Sequence, residues 1–243
     1  MPPAPMPPDG SVTTHVSTFD PLPWQIAPWR DKSPVILLTG SAGGGKSYVG
    51  ASKLHGFCLK YPGATALMMR KARESMTNST VIFTERKVIA GNSHVRHIQT
   101  KSRFEYDNGS VLAYGGMYDD KQAEQIRSIG QDGAVDITWM EEANRFREDD
   151  YNEVLARMRG KAAPWSQIIL SCNPDAPTHW INRRLIQGGE ATVYYSSARD
   201  NPHNPASYLA ALGRLTGVLG LRLREGRWVQ AEGAVYDGWD PAI

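Results

Sequence analysis

Lys46 and Ser47 sit side by side at the end of a glycine run, Gly40-Ser41-Ala42-Gly43-Gly44-Gly45. The spacing fits G-x-x-x-x-G-K-[ST], in which the lysine reaches the β- and γ-phosphates of a nucleotide and the hydroxyl ligates Mg²⁺. Glycines allow the backbone to wrap until its N–H groups converge on phosphate oxygens. A helix opening at the end of the loop adds unpaired N–H donors and the positive end of its dipole. The alternative is a glycine-rich turn that binds nothing. It does not account for the lysine, the hydroxyl, the apolar run before the loop (35–39) or the helical pattern after it (48–59). The expected nucleotide-binding residues are Gly40, Ser41, Ala42, Gly43, Gly44, Gly45, Lys46, Ser47 and Tyr48, with a nucleoside triphosphate and Mg²⁺ as the ligands.

Hydrolysis also needs an acid to organise the metal and a group to place water. Val135-Asp136-Ile137-Thr138-Trp139-Met140 is a mostly apolar run that ends in Glu141-Glu142. In that pattern Glu141 holds the Mg²⁺ shell, and Glu142 orients and polarises the attacking water. Adjacent side chains on a strand point to opposite faces, so both can serve one site only if the backbone turns there. The alternative is a pair of solvated charges opening a loop. Asp136 competes for the metal role, although its place within the strand favours a structural hydrogen bond. A third run, Gln167 to Leu170, ends in Ser171-Cys172-Asn173-Pro174. There Asn173 either senses the γ-phosphate through its amide or simply opens an Asn-Pro turn. Arg127 is read either as a surface arginine or as a guanidinium delivered to the nucleotide of a neighbouring subunit. Arg70 and Lys71 either contact nucleotide or hold a loop. Arg214, Arg222, Arg224 and Arg227 read as a solvated helix face, with nucleic-acid phosphates as the other option.

The elements that must carry these residues alternate as in a parallel α/β sheet. Strands are expected at 35–39, 64–69, 135–141, 167–172 and 192–196, and helices at 46–60, 76–90, 150–159, 178–187, 204–212 and 215–225. Between 94 and 115 the pattern becomes antiparallel around Asp107-Asn108-Gly109, a hairpin signal. Nine of the sixteen prolines precede residue 35, so residues 1–18 are expected to be disordered and 19–34 an extended arm. The ATPase domain then spans 35–230. The formal net charge is +2, from 27 Lys and Arg against 25 Asp and Glu, which excludes a protein that coats nucleic acid by charge alone. Cys58 and Cys172 lack metal-site spacing and read as buried thiols in a reducing compartment. With no secretory leader and no apolar run of membrane-spanning length, a soluble cytoplasmic protein without membrane contact is expected.

Together these segments resemble the N-terminal ATPase domain of the large terminase subunit of tailed bacteriophages. The likeness is carried by Gly40 to Ser47, Leu67-Met68-Met69-Arg70-Lys71, Ile126-Arg127-Ser128, Trp139 to Asn144 and Ser171 to Pro174. Asp200 to Pro205 and Glu225-Gly226-Arg227-Trp228-Val229 add to it, so it covers roughly residues 20–243. It implies a P-loop NTPase fold of the additional-catalytic-glutamate type, with a mostly parallel central sheet and an antiparallel hairpin addition. The implied activity is an ATP-driven motor that moves double-stranded DNA into a procapsid. The implied partners are a portal protein, a small terminase subunit and further copies of itself in a homo-oligomeric ring, in the cytoplasm of an infected bacterial host. An adenine-reading glutamine of that family matches Gln25, its coupling motif matches Ser171 to Asn173, and its trans-acting arginine finger matches Arg127.

Two departures stand out. The P-loop lacks the arginine that many members carry there. The chain also ends at a segment (231–243) resembling the linker to a nuclease domain, so no DNA cleavage is expected from it. A helicase-like DNA-dependent ATPase would call for further motifs after residue 175. A nucleotide-dependent switch that scarcely turns over is countered by Glu142.

Overall fold

Short runs of aliphatic residues bounded by glycine and polar turns build the sheet. Val35-Ile36-Leu37-Leu38 opens β1 (Val35–Gly40), and every residue of that strand is buried. Ile36 and Leu38 enter the apolar layer on one face of the sheet, while Val35 and Leu37 enter the layer on the other. A strand buried on both faces needs this continuous apolar character. The computed structural model describes residues 19–127, 129–130 and 133–230. The expected tail (1–18), Ser128 and the expected linker (231–243) lie outside the described residues.

Among the described residues the sheet has eight strands. After β1 come β2 (Thr65–Arg70), β3 (Val95–Ile98), β4 (Arg103–Tyr106), β5 (Val111–Gly116), β6 (Ile137–Glu141), β7 (Gln167–Ser171) and β8 (Thr192–Ser196), in the spatial order β3-β4-β5-β2-β6-β7-β1-β8. The run from β5 through β2, β6, β7 and β1 to β8 is parallel. β3 and β4 extend it antiparallel from β5. The expected hairpin around Gly109 is therefore the β4–β5 turn, and β3 makes it a three-stranded meander. Gly109 takes φ +83°, which a side chain would strain.

The flanking helices are α1 (Pro23–Arg30), α2 (Lys46–Lys60), α3 (Arg73–Met76), α4 (Asp120–Arg127), α5 (Glu148–Leu155) and α6 (Ala206–Gly213). α3 continues through two wider π-wound stretches, Thr77–Val81 and Thr84–Ile89. Further π-wound helix covers Ile181–Gln187 and Gly220–Arg224.

The arm read as extended is helical over Pro23–Arg30. Pro23 stands at the first helical position, where its fixed φ suits a helix and its missing N–H costs nothing. Leu22 N–H is capped by the Gln25 side chain, and the buried ammonium of Lys53 donates to the carbonyl oxygens of Pro28 (2.7 Å) and Asp31 at the other end. Tertiary contacts thus override the proline content.

The strand order has one consequence for chemistry. β2, β6, β7 and β1 are parallel neighbours, so the residues at their carboxyl ends share one edge of the sheet. Such an edge is where open α/β sheets bind ligands.

Candidate active site

The loop after β1 is anchored before it turns toward the cleft. Gly40 has φ +129°, and a Cβ there would lie 2.1 Å from the Ser196 carbonyl oxygen. The N–H groups of Ser41 and Ala42 donate to the carbonyl oxygens of Ser196 (2.9 Å) and Leu223 (2.8 Å). Gly40 and the N–H groups of Ser41 and Ala42 are therefore spent on the fold rather than on the cleft, contrary to the expectation that the whole loop faces phosphate. The cleft-lining stretch runs from Ala42 to Tyr48. Gly43 and Gly45 take φ +78° and +84°, and α2 starts at once with Lys46.

Lys46 is buried beneath this loop. Its Nζ donates to Ser41 O (2.6 Å) and to Asn173 Oδ1 (2.9 Å), tying the loop to the end of β7. Burial pulls its pKa down to about 8, opposed by the neighbouring Cys172. Ser47 Oγ donates to Glu141 Oε1 at 2.8 Å, so the two expected cation ligands already meet. The other Glu141 oxygen accepts from Thr80 Oγ1 and lies 3.4 Å from Arg70 Nε.

Glu142 resolves the problem of two adjacent acids. Its backbone turns into the left-handed region, φ +51° and ψ +48°, as the chain leaves β6. This swings its side chain onto the same cleft as Glu141. A non-glycine residue held there costs on the order of 1–3 kcal/mol and tends to mark functional sites. The Glu142 side chain is 50% exposed and takes Arg70 Nη2 at 2.8 Å. Asp136 lies at the opposite end of β6. Its carboxylate accepts from Thr65 N (2.8 Å) and Ala162 N (2.9 Å), a structural role that takes it out of the cleft.

Arg70 and Lys71, left undecided by sequence, divide the two options. Arg70 bridges both acids, whereas Lys71 holds Asp150 at the start of α5 (2.7 Å). Ser171 lines the cleft and accepts from the buried Trp139 indole at 2.8 Å. Arg127 does not line the cleft of its own chain. It lies on α4, clamped by Glu153 at 2.6 and 3.1 Å, with Glu124 at 3.2 Å. Of the arginines near the carboxyl end, Arg222 pairs with Asp175 (2.7 Å), and Arg224 donates to the Gly213 and Leu215 carbonyl oxygens (both 3.1 Å). Those two brace the fold rather than forming a solvated face.

The cleft encloses about 670 Å³, and its walls also include Asp20, Leu22, Phe83, Lys87, Asn201, His203 and Asn204, which sequence reasoning gave no role. Asn201 and Asn204 both donate to the Gly43 carbonyl oxygen, at 2.9 and 3.0 Å. Asp200 to Pro205 entered only through the family likeness, and nothing local in that segment says what its asparagines would touch. Gln25 borders the cleft from the other side. It is 1% exposed, accepts from Leu22 N (2.8 Å) and donates to the Gly45 carbonyl oxygen (3.0 Å). The pocket thus has a cationic, N–H-rich floor, two carboxylates on one wall and an aromatic end at Tyr48 and Phe83, dimensions and chemistry that suit a nucleoside triphosphate.

Comparison with known proteins agrees. Residues 32–216 match the family described as phage terminase large subunit. The chain is 23% identical over 202 residues to the PBSX phage terminase large subunit of Bacillus subtilis strain 168, a match covering 74% of this chain and 45% of that protein. A large terminase from a thermophilic bacteriophage superposes with a TM-score of 0.73 at 20% identity, over 90% of this chain and 55% of the other. The Thermus phage P74-26 large terminase ATPase domain superposes with a TM-score of 0.64 at 12% identity, over 87% of this chain and 95% of that domain. The chain therefore spans about half the length of the full-length terminases it matches. At these identities the superpositions establish the fold.

Proposed function

The chain belongs to the phage terminase large-subunit family, and from that membership we propose that it is the ATP-hydrolysing motor portion of a machine that drives double-stranded viral DNA into a procapsid. One observation carries the proposal: Ser47 and Glu141 hydrogen-bond at 2.8 Å in the same cleft that holds Lys46 and Glu142. A large terminase from a thermophilic bacteriophage, crystallised in complex with ADP, has the same fold, with a TM-score of 0.71. The proposed setting is the cytoplasm of an infected bacterial cell. There a homo-oligomeric ring of this chain engages a portal protein and a small terminase subunit.

The donor set fits a hard divalent cation. Ser47 offers a hydroxyl and Glu141 a carboxylate, both oxygen ligands. Among the described residues no cluster of three His, Cys, Asp or Glu side chains could hold a metal by itself, so phosphate oxygens would complete the shell. Ser47 and Glu141 would hold Mg²⁺, which when bound neutralises phosphate charge. Lys46 would contribute its ammonium to the β- and γ-phosphates, and the Gly43 to Ser47 backbone its N–H groups. Glu142 would orient the attacking water and accept its proton, and Arg70 fixes the position of the Glu142 carboxylate through their ion pair. Asn173, bonded to Lys46, connects the phosphate end of the site to β7 and through it to the rest of the molecule.

The test is steady-state ATP hydrolysis as a function of protein concentration, with and without double-stranded DNA. A specific rate that climbs with concentration is the expected outcome. Glu142→Gln should retain ATP binding and lose roughly 100-fold or more in turnover, the order of effect of removing a general base. Normal turnover by Glu142→Gln would remove Glu142 from the mechanism.

A further inference from the structure

Three side-chain amides converge on two carbonyl groups of the phosphate loop. Asn201 and Asn204 donate to Gly43 O (2.9 and 3.0 Å), and Gln25 donates to Gly45 O (3.0 Å). Within a trans peptide the carbonyl and the following N–H point in opposite directions in one plane, and among the described residues no peptide bond is cis. Fixing the Gly43 carbonyl therefore fixes the Gly44 N–H, and fixing the Gly45 carbonyl fixes the Lys46 N–H. The φ angles alternate as an anion-binding nest requires, positive at Gly43 and Gly45 and not at Gly44 between them. Gly43 and Gly45 would otherwise be free to flip these planes, because glycine populates both signs of φ.

We propose that Gln25, Asn201 and Asn204 are positioning residues that pre-organise the Gly44 and Lys46 N–H groups for phosphate. The environment of Gln25 supports this role. Its carbonyl oxygen is taken by Leu22 N–H at 2.8 Å, its amide nitrogen by Gly45 O, and only 1% of the residue is exposed. Each end of the amide is thereby held, one against α1 and the other against the loop. Asn204 is locked in the same way, since its Nδ2 also donates to Ala198 O at 2.8 Å. The loop is thus gripped by α1 on one side and by the segment between β8 and α6 on the other. Both grips act on carbonyl groups and leave the N–H side to the ligand.

This inference rests on the nucleotide-site reading, and the experiment separates the two. Binding of ATP, GTP and inorganic tripolyphosphate, each with Mg²⁺, is measured by calorimetry for the full chain and for Gln25→Met, Gln25→Glu and Asn201→Ala. Gln25→Glu keeps the acceptor for Leu22 while losing the donor to Gly45, so α1 stays capped while the loop is released. Each variant should weaken all three ligands by a similar factor, roughly fivefold to tenfold for one orienting hydrogen bond, with the ATP-to-GTP ratio unchanged. Amide NMR supplies a readout that general loosening would not move. The phosphate-induced shift of Lys46 should change selectively in the Gln25 variants and that of Gly44 in Asn201→Ala. A collapse of the ATP-to-GTP ratio with tripolyphosphate binding intact would make Gln25 a base reader and overturn the proposal, as would unchanged affinity for all ligands in all variants. Failure of the unmodified chain to bind ATP or tripolyphosphate would instead sink the nucleotide site itself.

Discussion

At the scale of single residues, the site places its charges where burial makes them matter. Lys46 is held at a pKa of about 8 by burial, far below an ordinary lysine, so its charge titrates just above neutrality. Phosphate binding needs the ammonium, and a bound phosphate raises the pKa of the lysine it touches. The sign follows. Below a pH of about 8 the free protein already carries the charge, and affinity is flat. Above it, binding must take up a proton, and affinity falls as pH rises, approaching roughly tenfold per unit once Lys46 is neutral in the free protein. The dissociation constant for Mg-ATP, measured from about pH 7 to about pH 9.5, should show that bend, and in Lys46→Arg, which stays charged, it should not. A flat profile for the unmodified chain would mean that Lys46 keeps its proton through contacts other than ligand. Glu142 carries the other cost at this scale, a left-handed backbone at φ +51°. Its neighbour Glu141 points into the cleft from a regular strand, and only that turn lets the next side chain join it.

At the scale of elements, the coupling between α2 and β6 runs through one close approach. Gly50 faces the Trp139 ring, and a Cβ there would lie 2.4 Å from Trp139 Cε2. The ring cannot step aside, because it is fully buried and its indole N–H is bonded to Ser171 at 2.8 Å. Gly50→Ala gains about 1 kcal/mol of intrinsic helix propensity, but forcing a methyl into a packed core typically costs about 1–3 kcal/mol, occasionally more. Contact with a fixed ring at this distance makes the cost win. The urea midpoint should fall, and Mg-ATP affinity with it, because a displaced α2 carries Lys46 and Ser47 away from Glu141. An unchanged midpoint would show that the helix and sheet slide freely here. This contact also marks what the sequence made legible. Apolar runs of strand length located β1, β2, β6, β7 and β8 to within about two residues; the first four are buried strands with no other composition available to them, and β8, a partly exposed edge strand, keeps the β-branched and aromatic residues that strands favour. The helical pattern after the loop also placed α2 correctly, over Lys46–Lys60. α1 was not legible, since its prolines argue against a helix and its supports, Lys53 and Gln25's partner Gly45, lie about twenty residues away or more in sequence. Arg70 on Glu142 and the two asparagines on Gly43 were hidden likewise, because strand order, which no local pattern encodes, brings them together.

At the scale of the whole molecule, among the described residues the one arginine lining the cleft is Arg70. The loop carries none at Ser41-Ala42-Gly43. Arg70 is engaged with the two acids, and Arg127 lies on α4, away from its own cleft. Arg127 is 45% exposed, and its partners Glu153 and Glu124 hold it at the surface. Exposed ion pairs are worth about 0–1 kcal/mol, so trading Glu153 for a phosphate on a neighbouring copy is inexpensive. An arginine finger supplied in trans is worth about 10³–10⁵ in turnover where it operates. On the proposed ring, Arg127→Ala should therefore be almost inactive alone, as should Glu142→Gln. Mixing the two at equal concentration should restore hydrolysis. A competent site then forms wherever an Arg127→Ala subunit, with its Glu142 intact, is followed by a Glu142→Gln subunit that supplies the arginine. Random assembly makes that about one site in four. Recovery toward a quarter of the unmodified rate, growing with protein concentration, would mean that each cleft is completed by its neighbour. A mixture no more active than its parts, under conditions where the unmodified chain turns over, would mean that Arg127 serves only α4 and Glu153, and that the chain hydrolyses ATP with the residues of a single cleft.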